Sequence, residues 1–144
     1  MRLAKSTRYG LYAALEMALA GDEPVTVADV ASRHGLSQTA LAKVFQQLVR
    51  AGLATSARGV GGGFRLARPR SAVTVLDVIG VFEATREPGQ PPLGSGIGGS
   101  ADGRPADVGL RQLFDEVDEL VRCTYASVTL DTLARRASGV SLTT

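Results

Sequence analysis

The sequence predicts a mainly α fold, a winged helix-turn-helix with a two-stranded β wing and a long C-terminal dimerisation helix. Three observations predict it. Leu41, Val44, Phe45, Leu48 and Val49 recur at three- and four-residue steps behind Gly35 and Ser37, the pattern of a helix with one buried face. Two strand-like runs follow, Leu53 to Ala57 and Phe64 to Leu66, joined by the basic, glycine-rich Arg58-Gly59-Val60-Gly61-Gly62-Gly63. Finally, Leu110, Leu113, Phe114, Val117, Leu120, Val121, Tyr125 and Val128 repeat the helical step over a longer span. The expected division is a winged unit over residues 1–84, a connecting loop over 85–106, a dimerisation helix with a short following helix over 107–136, and a frayed tail over 137–144.

Met1 to Ala20 opens with Arg2, Lys5 and Arg8 and turns helical from about Ser6. Tyr9, Tyr12, Ala13, Met17 and Ala18, flanked by Leu11, Leu15 and Leu19, make this helix apolar around most of its circumference, so it must be covered on more than one side. The helix-turn-helix and a second chain are the expected covers. Arg2, Lys5, Arg8 and the Tyr9 hydroxyl are candidates for phosphate contacts, set against ordinary solvated charges near a terminus. After the turn at Gly21 to Val25, Thr26 and Asp29 stand at capping distance, and Val27, Val30 and Ala31 face inward. His34, the one histidine, is expected as a surface residue at a helix end, because no cysteine or acidic cluster lies near it in sequence to share a metal.

Ser37 carries a hydroxyl that can accept the orphan N–H groups of a first turn, so the next helix starts there and Gly52 stops it. Opposite its buried side stand Gln38, Thr39, Ala42, Lys43, Gln46, Gln47 and Arg50, with no acid among them, a face that can lie against DNA. In the hairpin, Phe64 and Leu66 point one way and Arg65 the other. Gly59 and Gly61 let the tip approach another surface closely, and Arg58 places a thin cation at that point. The run is not a nucleotide loop, since it lacks Gly-Lys-Ser/Thr and no helix begins at Arg65 to Pro69. Pro69 closes the wing. Val73, Val75, Leu76, Val78, Ile79 and Phe82 form a short helix capped by Thr74, expected to pack under the wing.

Residues 85–106 are rich in Gly, Pro and Ser, with Leu93 and Ile97 as the large apolar side chains, and are expected to be a mobile loop. Asp107 is the expected N-cap of the long helix, whose outer face is acidic with Asp115, Glu116, Asp118 and Glu119. Its stripe must be buried either on its own domain or on a twin helix, and the twin is preferred. Leu110, Leu113, Phe114, Val117, Leu120 and Val121 are the expected dimer contacts. Thr129 restarts a short helix through Leu133, and Ser138 to Thr144 should fray.

At 144 residues the chain supports one core or a small domain with an appended element. Its net charge of +2 hides an asymmetry: residues 1–70 hold 10 Lys and Arg against 4 Asp and Glu, and residues 71–144 hold 6 against 10. A basic front half suits phosphate contact, and the acidic rear half is freer for association or sensing. A single cysteine excludes an intrachain disulfide framework and fits a reducing cytoplasm. Leu11 to Ala20 is too short, and with Glu16 too charged, for a signal peptide, and no stretch is long enough to span a membrane. One His, one Cys and scattered carboxylates give no nucleophile–base or paired-acid spacing, which argues against an enzyme.

These segments resemble a known family. MRLAKSTRYGLYAALEMAL, VADVASRHGLSQTALAKVFQQLVRAGLATS, ARGVGGGFRLARP, VTVLDVIGVFE and VTLDTLA are similar to the Rrf-two family of bacterial transcription regulators, over nearly the whole chain, with the Arg-Gly-x-Gly-Gly-Gly wing as the most specific part. The resemblance implies a homodimer on a partly palindromic double-stranded DNA operator, with recognition helices in successive major grooves and Arg58 of each wing in a minor groove. Ser37, Thr39 and Lys43 would then face DNA with Gln38 nearby, and Arg2, Lys5 and Tyr9 would steady the backbone. Two departures stand out. Many members hold an iron–sulfur cluster on three cysteines between the post-wing helix and the long helix, where Thr85 to Ala106 has none, and some ligate from an acid in the first helix, where Arg8 stands here. No cofactor is therefore expected. Ala42 also replaces an acid that certain relatives use to read bases, so the operator is not inherited.

The expected function is a dimeric, sequence-specific regulator, a repressor that blocks promoter access, with an effector that the residues do not identify. A non-specific architectural DNA binder and a protein-interaction module are the competing classes. Cys123, beside the stripe and next to Arg122, reads either as a packing residue or as a thiol redox sensor whose thiolate Arg122 favours.

Overall fold

The computed structural model describes residues 3–58, 62–83 and 105–139. Helix α1 (Lys5–Ala20) is followed by α2 (Val27–His34), α3 (Gln38–Arg50), strands β1 (Ala54–Ala57) and β2 (Gly63–Leu66), then α4 (Val75–Phe82), α5 (Pro105–Ser127) and α6 (Leu130–Ala137). The strands form an antiparallel pair in which Ala54 faces Leu66 and Thr55 faces Arg65. The mainly α winged fold expected from the sequence is therefore present.

The local signals act as their chemistry dictates. Thr26 Oγ1 accepts the Asp29 N–H at 3.1 Å, Ser37 Oγ accepts the Ala40 N–H at 3.3 Å, and Thr74 and Asp77 exchange both bonds of a capping box. Gly35 and Gly52 take φ of 63° and 77°, which ends α2 and lets the chain leave α3. Leu41, Val44, Phe45 and Leu48 are buried as the periodicity requires.

Helix α1 is the element most of the others touch: α2, α3, α4, α6 and β2 all pack on it. Met17, Phe45, Leu41, Leu48, Val30 and Val73 fill the space between, all but fully buried. Its uncovered side keeps Tyr12 and Leu19 exposed within the protomer. The short helix α6 returns to this core through Leu130 and Ala134, and a bridge between Thr74 and Thr129 fixes its start, with Val75 N–H on Val128 O and Leu130 N–H on Val73 O. Arg70 clamps the same corner by donating to Asp131 and to the Ala18 carbonyl.

Four expectations are corrected. Helix α4 packs on α1, α3 and α5 rather than under the wing; the wing instead lies on α1 and on the loop after it, where Val25 and Phe64 exchange backbone bonds of 2.9 and 2.8 Å. Asp107 is not the N-cap of the long helix, which already runs from Pro105, so Asp107 lies in its first turn and favours the positive end of the dipole. Helix α6 continues past Leu133 to Ala137 because Ala134 still has core to cover. His34 is no free surface residue: its Nε2 lies 2.7 Å from Glu16 Oε1 and its ring 4.6 Å from that of Tyr12. Of the expected loop over 85–106, residues 85–104 lie outside the described residues while Pro105 and Ala106 already belong to α5; of the expected tail, Ala137 ends α6 and 140–144 lie outside the described residues.

One carboxylate fixes the start of α1. Glu83 Oε1, just past α4, accepts the Ala4 N–H at 2.9 Å and the hydroxyl of fully buried Thr7 at 2.6 Å. The Thr7 hydroxyl first, and then the Ala4 amide, hold the Glu83 carboxyl below its usual 4.5. A depressed folded value means that this stabilisation is present above about pH 4.5 and is lost as the pH falls through the folded value. Glu83→Ala should cost about 1–2 kcal/mol in urea denaturation at neutral pH, with a smaller difference from wild type in acid. An unchanged midpoint at neutral pH would show that the buried hydroxyl finds another acceptor.

Candidate nucleic-acid interface

The N-terminal ends of α1 and α3 meet in a groove of about 520 Å³. Lys5, Ser6 and Tyr9 line it from α1, and Ser37, Thr39, Ala40, Lys43, Val44 and Gln47 from α3 and its cap. The Tyr9 hydroxyl accepts the Ser37 N–H at 3.3 Å, so the phenol is held against the start of α3 while its own proton remains available to an outside acceptor. Lys5 Nζ sits 5.3 Å from the centre of the Tyr9 ring, a distance at which cation and ring attract. Helix α3 has no acid in its first turn, and Ser37, Thr39 and Ala40 at its start line the groove. Two lysines, a phenol, three aliphatic hydroxyls and a helix N-terminus together favour an anion such as a phosphate.

Lys5, Tyr9, Ser37, Thr39 and Lys43 are thus brought together as the sequence suggested. Gln38 is exposed on the first turn of the same helix. Arg58 and Arg65 are exposed on the wing, with no acidic partner among the described residues, and Arg65 lies opposite the core-facing Phe64 and Leu66. Arg2, Gly59 and Gly61 lie outside the described residues. Ser6 and Gln47 also line the groove but were absent from the expected set; Gln47 was legible on the outer face of α3, whereas Ser6 had no signal beyond its neighbours.

Phe45 of α3 and Phe64 of the wing stack with centroids 4.7 Å apart and planes 26° from parallel, so the hairpin packs directly on the helix. Behind them Glu16 receives Arg33 and His34 on its two oxygens and joins α1 to α2 just before the Gly35 turn. This nearly buried acid escaped the sequence reading, in which it appeared as a charge inside an apolar run.

The expected dimer residues divide. Leu110, Leu113, Val117 and Leu120 are exposed, Leu120 at 70%, while Phe114 and Val121 are half-buried. Helix α5 buries no residue within the protomer, and its principal contact there is α4. Cys123 is exposed, and its thiol donates to Glu119 Oε1 at 3.4 Å. That bond, then burial, raises its pKa, outweighing the opposite pull of Arg122. The expectation that Arg122 favours the thiolate is corrected, because Glu119 takes the guanidinium through two bonds and the thiol through a third. Among the described residues no three His, Cys, Asp or Glu side chains are grouped to hold a metal, and no helix is long and apolar enough to cross a membrane.

A capped helix set beside a hairpin, with a basic groove at the helix start, defines a winged helix-turn-helix DNA-binding regulator. The chain belongs to the Rrf2 (Rrf-two) family, described as iron-dependent transcriptional regulator, which matches residues 3–136. BadM of Rhodopseudomonas palustris is 38% identical over 135 residues, covering 94% of this chain and 82% of its own. The HTH-type transcriptional regulator IscR of Cereibacter sphaeroides is 34% identical over 118 residues, covering 80% and 75%. Among solved structures, CymR, the global cysteine regulator of B. subtilis, superposes with a TM-score of 0.78 at 28% identity over 94% of this chain and 98% of its own. IscR of T. potens gives 0.77 at 25% identity over 100% and 93%. The chain is accordingly a DNA-binding transcription regulator and not an enzyme.

Proposed function

We propose that this chain is a cytoplasmic homodimer that binds a specific, partly palindromic operator and represses by blocking promoter access. The observation that carries the reading is the groove: Lys5, Tyr9, Ser37, Thr39 and Lys43, distant in sequence, converge on the exposed start of α3. Placed in a major groove, Gln38, Thr39 and Lys43 face base edges, while Lys5, Tyr9 and Ser37 hold the flanking phosphates. Arg58 and the backbone of Gly59 and Gly61 reach the minor groove, with Arg2 and Arg65 toward the backbone. The exposed stripe Leu110, Leu113, Val117 and Leu120 supports pairing with a twin α5, with Phe114 and Val121 beside it.

The family description is iron-dependent, and the donor set here does not fit a cluster held by three cysteines. The chain has one cysteine, committed to Glu119 on the outer part of α5, and its one histidine is committed to Glu16.

The deciding experiment is a fluorescence-anisotropy titration of the chain against the DNA upstream of its own gene and against a scrambled duplex. A preference of about a thousandfold or more for the native duplex is expected. Equal affinity for both would favour an architectural binder, and binding to neither an interaction module. On the preferred duplex, Arg58→Ala should lose about 1–3 kcal/mol of binding; wild-type affinity in that variant would remove the wing from recognition.

A further inference from the structure

At the far end of α1 from the groove lies a second cavity, of about 300 Å³, between that helix, the turn after it and α2. Its floor is apolar, built by Leu19, Ala20, Pro24, Val25 and Val30, and its rim carries Glu16, Asp29 and Arg33. The size and the mixture of an apolar floor with a few polar groups are those of a small-molecule site.

The rim charges are not all engaged. Asp29 and Arg33 stand four residues apart on α2, with the acid first, the arrangement in which such a pair ordinarily closes. It does not close here. Arg33 turns to Glu16 through Nη1, and Glu16 gives its other oxygen to His34. Asp29 is left with no partner for its carboxylate among the described residues, and the Arg33 side chain, 58% exposed, has further N–H groups to offer. One exposed carboxylate with no side-chain partner among the described residues and one cation with donors to spare therefore flank these apolar side chains, on positions one helical turn apart.

We propose that this cavity binds a small zwitterion with an apolar side chain, an amino acid of the valine, leucine or phenylalanine kind. The ammonium group meets Asp29, the carboxylate meets Arg33, and the side chain covers Leu19, Val25 and Val30. The site also has a path to the DNA-contacting elements. Val25, in the cavity wall, is bonded to Phe64 of the wing through both backbone groups. A Cβ on Gly63 would lie 2.3 Å from the Val25 carbonyl oxygen, so the first residues of β2 sit directly against this wall and a shift of Val25 is passed to them. Arg33 lies two residues before the Gly35 turn that leads into α3. Occupancy thus acts on wing and recognition helix together. This coupling rests on the DNA-binding reading above, whereas ligand binding stands without it.

The test is a ¹H–¹⁵N correlation spectrum of the full chain, without DNA, titrated with L-valine, L-leucine and L-phenylalanine up to about 10 mM, a range that reveals even weak sites. Saturable shifts centred on Val25, Asp29, Val30 and Arg33 are expected with at least one of them. 3-Methylbutylamine and 4-methylpentanoate, which lack the carboxylate and the ammonium respectively, should bind about tenfold or more weakly than leucine, as should leucine to Asp29→Asn and Arg33→Gln, because each loses a charge-assisted bond. The absence of saturable shifts with all three amino acids, or shifts centred elsewhere, would overturn the site. Equal binding of the amine or the acid alone would overturn the zwitterion. Binding that leaves operator affinity unchanged in the anisotropy titration would overturn the coupling while leaving the site intact.

Discussion

Leu113→Glu/Leu120→Glu should sediment at the 15.0 kDa of a single protomer and lose operator binding by about 10²–10⁴-fold. Both side chains are exposed on α5, at 51% and 70%, so the protomer loses no core contact and its circular dichroism should be that of the wild type. The loss arises at the interface. Two carboxylates facing two more across a twofold axis lose apolar burial and add repulsion, and a protomer that no longer has its twin meets one half-site at a time. A double variant that still sediments as a dimer would place the association surface elsewhere, with exposed Tyr12 and Leu19 of α1 as the next face to alter.

Phe45→Ala should lower the unfolding free energy by about 3–5 kcal/mol, a large part of the roughly 5–15 kcal/mol available to such a domain. Phe45 is the largest fully buried side chain among the described residues. Truncation removes apolar area, leaves a cavity between close-packed neighbours and removes the stack on Phe64. The wing should loosen with it, so operator binding should weaken even where the variant remains folded. Urea denaturation reads the first effect and anisotropy on the folded fraction the second. A loss of stability below about 1 kcal/mol would mean that the core closes over the gap.

Most of the site was legible because the signals that build it are short-range. Ser37 announces its own helix, the acid-free face of α3 follows from a 3.6-residue period, and the wing is written as two strand-like runs around glycines. Lys5 and Tyr9 entered through composition at the start of α1 and through the family resemblance, and the groove they share with Lys43 follows from how α1 and α3 pack. What escaped the reading was long-range. Glu16 looked like a charge interrupting an apolar helix, and His34 like a surface end, because their partnership spans the turn between two helices. The Glu83 carboxylate lies 76 residues from the Thr7 hydroxyl that it accepts. The place of α4 failed for the same reason: its apolar face says that it is buried but does not say against what.

By itself the sequence determined the order of the elements, the caps of α2, α3, α4 and α6, the acid-free face of α3 and the apolar stripe on α5, since each depends on side chains within a few residues of one another. The tertiary structure alone decided that α1 is the element most others pack on, that the wing is tied to the loop at Val25, and that Arg33 leaves Asp29 for Glu16. Hydrophobic burial drives all of these, and it carries no direction. It requires that a face be covered, and only the closure of the whole core selects which surface covers it.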